Sequence, residues 1–322
     1  MTPDKAVFTW INTLTREICS ITFQLFKLMI PIIIMVKIID ELGGIEYIGN
    51  ALAPIMQLVG LPASMGLVWA TTMITNIFGG MIIFITMAGN ESLSVAQVTV
   101  LGCMMLFAHA LPVEVRITQK AGVRVIYMLV LRVGGALLLG FILHHIYSAG
   151  DFLSSKNVAI WQPHLSNDNS LIGWVLSQIK ALLQVFLIIA ALVFFLHLLK
   201  LSGIERLMIY ILKPLMKLLG LSEKSTSITI IGFTLGVTYG GGLLIKESQN
   251  GEISKRDVFG SITLLGLGHS IIEDTLLIML LGADISGALY FRVFASLLLS
   301  AIIIRLVRQL NEKTFLRYFA YP

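Results

Sequence analysis

Three long stretches of the chain carry no Asp, Glu, Lys or Arg: Tyr47 to Asn90, Ala181 to Leu199 and Ser225 to Ile245. Uncharged apolar runs of about 18 residues or more read as membrane spans. Only 13% of the 322 residues are charged and 57% are hydrophobic, against about 25% charged in a soluble domain. Most soluble enzymes are excluded on that ground. A transmembrane barrel would alternate apolar and polar residues in segments of about ten, and these runs do not. The expected class is an all-α polytopic membrane protein.

The net charge of +5 is scattered between apolar runs, without a basic tract; nucleic acid is not an expected partner. Cys19 and Cys103 lie far apart in apolar surroundings and suggest neither a disulfide framework nor a metal knuckle. No cleavable signal peptide is visible at the start. Residues 1–19 read as an amphipathic surface segment.

The chain repeats itself at an offset of about 160. Leu52-Ala53-Pro54-Ile55-Met56-Gln57-Leu58-Val59-Gly60-Leu61 recurs as Leu212-Lys213-Pro214-Leu215-Met216-Lys217-Leu218-Leu219-Gly220-Leu221. Gly44-Ile45-Glu46 recurs as Gly203-Ile204-Glu205, and His109, Glu114 and Arg132 match His269, Asp274 and Arg292. A proline, a histidine, an acid and an intramembrane arginine at one offset mark a duplication. The domain reading follows: repeat 1 over 20–147, an external linker over 148–172, repeat 2 over 173–310 and a cytoplasmic tail over 311–322.

Each half is expected to hold a long span, an amphipathic segment, a second span broken by glycines, a histidine-containing segment and a last span. Taking the histidine segments, about 93–118 and 253–283, as re-entrant hairpins leaves three spans per half and makes the repeats inverted. With the N-terminus inside, this puts 14 Lys and Arg inside and 4 outside, as the positive-inside rule favours.

Inverted repeats with broken helices are a transporter device, because irregular backbone at membrane depth lines a cavity or is buried in protein. The candidate substrate groups in the breaks are Thr71, Thr72, Thr75, Asn76, Gly79 and Gly80, facing Thr234, Thr238, Tyr239, Gly240, Gly241 and Gly242. Small residues at these positions also suit close helix packing. In the histidine segments, His109, Glu114, His269, Glu273 and Asp274 are candidates for binding a solute, a cation or a proton. Arg132 and Arg292 are expected to form structural ion pairs with the acids. No cofactor and no metal is expected: two histidines and nearby acids could ligate an ion, but no dense His/Cys cluster supports one. No Walker A, HExxH or G-x-S-x-G motif is present, and an enzyme is not expected.

The Gly-Ile-Glu, the Leu-x-Pro-[IL]-Met segments, the glycine-rich second span and Gly268-His269-Ser270-Ile271-Ile272-Glu273-Asp274-Thr275 resemble the nucleoside-recognition or Gate domain family. That family includes spore-maturation membrane proteins and the gate regions of ferrous-iron and concentrative nucleoside transporters. The resemblance spans roughly 25–147 and 180–305 and implies gating of solute passage in an inner membrane. The first half departs from it, with Ala108-His109-Ala110-Leu111-Pro112-Val113-Glu114 lacking the Glu-Asp pair, and no G-protein domain accompanies it. The expectation is a secondary-transporter-like protein of the bacterial inner membrane with both termini cytoplasmic. It would move a small polar or anionic solute, a nucleoside or related metabolite being one candidate. Export of an ion or lipid-linked group, and a non-transporting scaffold for a partner protein, stay open. The expected partners are the solute and the lipid bilayer, with a homo-oligomer open.

Overall fold

A computed structural model describes residues 3–88, 91–161 and 170–321. The chain is nearly all helix: α1 (Pro3–Glu41), α2 (Gly44–Leu58), α3 (Met65–Ile74), α4 (Ile77–Ala88), α5 (Val95–Phe107), α6 (Leu111–Lys120), α7 (Val125–Leu129) and α8 (Gly135–Ala149) in the first half. The second half has α9 (Leu171–Ser202), α10 (Ile204–Leu218), α11 (Glu223–Leu235), α12 (Val237–Gln249), α13 (Lys255–Leu267), α14 (Ile271–Leu280), α15 (Arg292–Arg308) and α16 (Glu312–Tyr318). Short π-helical turns, Val130–Gly134 and Ser286–Phe291, sit in the last span of each half. Among the described residues six helical stretches are long and apolar enough to cross a membrane, and the protein is an all-α polytopic membrane protein.

Two compact units form, and they cut across the repeats: residues 1–45 with 161–205, and 46–160 with 206–322. The first is α1 packed along α9, the first spans of both repeats paired with each other. Trp10 meets Phe194 edge-on at 6.2 Å, and Met29, Val185 and Ile189 are buried. Phe23, Ile34, Leu183 and Leu187 remain exposed, as helices facing lipid require. The expected break near residue 19 is absent, because α1 runs unbroken from Pro3 to Glu41.

The second unit holds the remaining elements. Here the structure relocates the re-entrant hairpins. α3 packs along α4, and α11 along α12, whereas α5 and α6, like α13 and α14, meet only end to end. The hairpins are therefore the glycine-rich segments, and the histidine segments are broken crossings. The cause is steric. A Cβ on Gly80 would stand 1.8 Å from Thr72 Oγ1, and one on Gly240 would stand 2.3 Å from Gly232 Cα. Only glycine eight residues further along the chain lets the two arms touch. The arms have 10 and 12 residues in repeat 1, about 15–18 Å each, roughly half of a 30 Å core. Both ends of each hairpin lie together. Ser64 Oγ donates to Glu91 Oε1 at 2.6 Å, and Lys224 pairs with Glu247 at 2.7 Å and with Glu252.

The two repeats run antiparallel within this unit. α5 starts beside the linker, where Ala96 N donates to Leu153 O at 2.9 Å and Thr99 Oγ1 accepts from Asp284 N, just past α14. α13 starts at the opposite end, where Lys255 Nζ reaches Tyr321 O and Tyr321 N donates to Gly122 O, just past α6. Each start is capped alike, by Ser94 accepting from Gln97 N and Ser254 from Asp257 N, as an N-cap serine does. The expected tail is part of the fold: α16 buries Phe315 against Phe259, with ring centroids 5.7 Å apart. Of the linker, 148–160 is ordered against α5 and α14. Residues 162–169, with Pro163, lie outside the described residues.

Candidate functional site

Both crossings break at the same place in the repeat. Ala110 and Ser270 each have φ of +47°, a left-handed conformation uncommon outside glycine and of the kind that collects at functional sites. In repeat 1 the break is enforced by Pro112, which has no N–H to continue the helix and lies in the first turn of α6. In repeat 2 Gly268 ends α13, pressed against Phe233 and Ser296, where a Cβ would stand 2.8 Å and 3.0 Å away. The break of repeat 1 is tied to its own hairpin: Ala110 N donates to Thr72 O at 3.1 Å. Each hairpin also reaches the opposite repeat, α12 packing on α6 and α4 on α14.

The breaks meet at their histidines. His109 Nε2 lies 3.0 Å from His269 Nε2, and the rings are 4.9 Å apart between centroids. Nδ1 of His109 faces Met105 O at 3.0 Å and Nδ1 of His269 faces Leu265 O at 2.8 Å. Carbonyl oxygens only accept, so both Nδ1 atoms carry hydrogen. Glu114 Oε1 sits 3.1 Å from His109 Nε2 and 3.3 Å from His269 Nε2. Asp274 Oδ2 lies 4.0 Å from His109 Nε2. Both histidines and both acids are buried.

Each acid is held by the arginine of its own repeat. Arg132 Nη1 donates to Glu114 Oε2, and its Nε donates to Phe107 O at 3.0 Å. Arg292 Nη2 donates to Asp274 Oδ2 at 3.3 Å and to His269 O at 2.7 Å. Each guanidinium thus satisfies a carbonyl orphaned by the break together with the acid of the following helix. The arginines are 0% and 1% exposed. Arg132 Nη2, Arg292 Nε and Arg292 Nη1 have no hydrogen-bond partner among the described residues. Arg132 lies within the first π-helical turn and Arg292 directly follows the second. A wide turn of this kind often marks a functional place in a helix.

The other expected site residues divide. Thr72 is fully buried, its hydroxyl donating to Val68 O at 2.8 Å. Thr75 donates to Thr71 O at 2.7 Å, and Asn76 Oδ1 caps α4 by accepting from Gly79 N at 2.9 Å. Gly80 and Gly240 serve arm-to-arm packing, and Gly79 packs against Thr75 in the turn between the arms. Gly241 is buried in α12, while Gly242 has nothing within 4 Å of its would-be Cβ. The side chains of Thr238 and Tyr239 lie outside the described residues. Glu273 is half-buried and makes no ion pair among the described residues. A cavity of about 330 Å³ opens at the linker end, away from the histidine pair, lined by Ser94, Gln97, His144, Tyr147 and Asp151.

Sequence reasoning did not single out Ala110 and Ser270, the hinge residues of the breaks. Pro112 carried a signal for the first; nothing in Ser270 itself carried one for the second.

No family model matches the chain, and no solved structure matches it. The uncharacterized membrane protein YvoD of Bacillus subtilis (strain 168) is 26% identical over 290 residues, which cover 88% of this chain and 90% of that protein.

Proposed function

We propose that the chain is a secondary-transporter-like protein of the Gate domain type, a carrier and not an enzyme, moving a small polar or anionic solute between its antiparallel repeats. The observation that carries the reading is the meeting of two broken crossings at a buried cluster whose guanidinium groups keep three donor nitrogens without hydrogen-bond partners among the described residues. A buried donor without a partner costs about 1–3 kcal/mol, and acceptor oxygens of a solute would offset that cost. Carboxylates, phosphates and the hydroxyl and carbonyl groups of a nucleoside all supply such oxygens. Alternating access then follows the inverted-repeat pattern, each hairpin rocking against the crossing of the other repeat.

The proposed location is the bacterial inner membrane with both termini cytoplasmic. Assigning the hairpins to α3–α4 and α11–α12 moves Lys246, Lys255 and Arg256 to the side of the C-terminus. Lys156 is then the sole Lys or Arg at the linker end outside the spans, a stronger asymmetry than the sequence reading had and in the sense of the positive-inside rule.

The experiment is uptake by proteoliposomes, using labelled uridine, adenosine and small carboxylates and phosphates. Uptake of one class above protein-free vesicles is expected, and Arg292→Lys, which removes the fork of donors, should abolish it while the protein remains inserted. Absence of flux for every class, with the arginine donors closed off from added solute, would leave the scaffold reading instead.

A further inference from the structure

The histidine pair poses a hydrogen-bonding problem that protons solve poorly. With both Nδ1 atoms donating to carbonyls, both neutral Nε2 atoms present lone pairs. They stand 3.0 Å apart, and Glu114 Oε1 stands 3.1 Å from one and 3.3 Å from the other. Three acceptors thus form a nearly equilateral triangle. One proton on either Nε2 donates across one edge and leaves the edge between the other ring nitrogen and Glu114 with lone pair against lone pair. No set of protons satisfies every edge, because a ring nitrogen that carries hydrogen has no lone pair left to accept. Protonating both Nε2 atoms lets each donate to Glu114 but sets their two N–H groups against each other, and it puts two imidazolium ions beside two buried guanidinium groups with only two carboxylates, an uncompensated buried charge of the costly kind.

A single cation at the centre satisfies all three lone pairs together. Nitrogen and oxygen ligands stand about 2.0–2.2 Å from a zinc-like ion in tetrahedral geometry, which separates ligands by about 3.3–3.5 Å. The triangle is slightly tighter than that, so an ion at bonding distance from each corner sits about 1 Å off its plane. The surroundings are those of a metal site. Each imidazole is oriented by an Nδ1–H to a backbone carbonyl, and Glu114 is held from behind by Arg132 on its other oxygen. Such outer partners fix tautomer and orientation of metal ligands. Asp274, the counterpart of Glu114, has Oδ2 4.0 Å from His109 Nε2. One ligand atom from each of His109, His269 and Asp274 falls within 4.8 Å of the others.

We propose that the junction of the repeats binds one divalent first-row transition-metal ion, with His109, His269 and Glu114 as ligands and Asp274 as the next one. Two imidazoles with a carboxylate suit Zn²⁺ and its neighbours, whereas Mg²⁺ and Ca²⁺ take oxygen ligands. His109 and Glu114 come from one repeat and His269 from the other, so the ion ties the two crossings together at their breaks. From sequence no metal is expected, because no dense His/Cys cluster supports one; the two histidines that meet here are 160 residues apart. The inference stands independently of any solute.

The test uses the full chain purified in detergent, stripped with a chelator and titrated with Co²⁺, which Zn²⁺ then displaces. One ion per chain is expected, with the visible ligand-field bands of four-coordinate Co²⁺. His109→Ala and His269→Ala should each weaken binding by more than about a hundredfold, since loss of an outer partner alone costs about 10–100-fold. His144→Ala, which alters a histidine of the linker-end cavity, should leave it unchanged. Wild-type protein that binds neither ion at micromolar concentration overturns the inference, and so does binding that survives His269→Ala. Because the first of these uses the unaltered chain, misfolding of a variant does not shield the proposal. Solute flux by protein that binds no metal would refute this inference and leave the carrier reading standing.

Discussion

Replacing Arg132 by Met removes the most enclosed charge of the second unit. The side chain is 0% exposed and holds both Glu114 and the carbonyl of Phe107. Methionine fills much of the volume, so the loss is electrostatic. Breaking a buried ion pair by removing one partner costs about 3–5 kcal/mol, and an orphaned buried carbonyl about 1–3 kcal/mol. These overlap, because Glu114 and the end of α5 can relax together, so about 3 kcal/mol is the floor. Equilibrium unfolding by SDS in mixed micelles, followed by tryptophan fluorescence with a chelator present, measures it. Glu114→Leu alone leaves the arginine buried without its acid and should cost a similar amount. The double variant should be more stable than either single one, since an apolar pair of similar volume is often neutral relative to a buried ion pair. A single Arg132→Met variant within about 0.5 kcal/mol of the parent, the range of ordinary surface changes, would refute the view that this pair is desolvated.

Gly240→Ala should destabilise by about 1–3 kcal/mol, the usual cost of overpacking, because its Cβ would meet Gly232 Cα at 2.3 Å and backbone cannot step aside. Gly242→Ala in the same helix meets nothing within 4 Å and should be neutral or stabilising in the same unfolding assay. At the exposed base of the second hairpin, Lys224, hydrogen-bonded to Glu252, holds that carboxyl below its ordinary range. The pairing therefore contributes above the ordinary carboxylate range and fades as pH falls through the lowered midpoint. In Lys224→Met the carboxyl carbon of Glu252 should titrate at higher pH by NMR; an unmoved midpoint would refute the pairing.

The duplication, the helical class and the antiparallel arrangement were legible because they rest on chain-wide patterns: charge-free runs, a shared offset and the asymmetry of Lys and Arg. The identity of the hairpins was not. Asn76 with Gly79-Gly80 and Ala108 to Pro112 are both helix breaks, and a break alone does not say whether the chain turns back or continues. What decides is Gly80 lying opposite Thr72 and Gly240 opposite Gly232, pairings eight residues apart that no single-helix pattern displays. The pairing of α1 with α9 was equally hidden, since α9 is apolar nearly all round and shows no face that would mark a partner. Of the site, the residue types were visible in sequence, and the inverted repeat leads to the expectation that His109, His269 and their acids converge; the structure brings the two histidines to 3.0 Å with Glu114 beside both, whereas the left-handed hinges that place them carry no comparable pattern.

Antiparallel repeats, each with one hairpin and one broken crossing, make a definite claim about sides. In a chain lacking Cys19 and Cys103, single cysteines at Ser92, Ser155 and Asn250 occupy the base of the first hairpin, the linker and the base of the second hairpin, all exposed. Labelling by a membrane-impermeant maleimide should mark Ser92 and Ser155 from one face and Asn250 only from the other. Ser92 labelled from the face opposite to Ser155 would return the hairpin to the histidine segment, and all three labelled from one face would contradict the inverted arrangement outright.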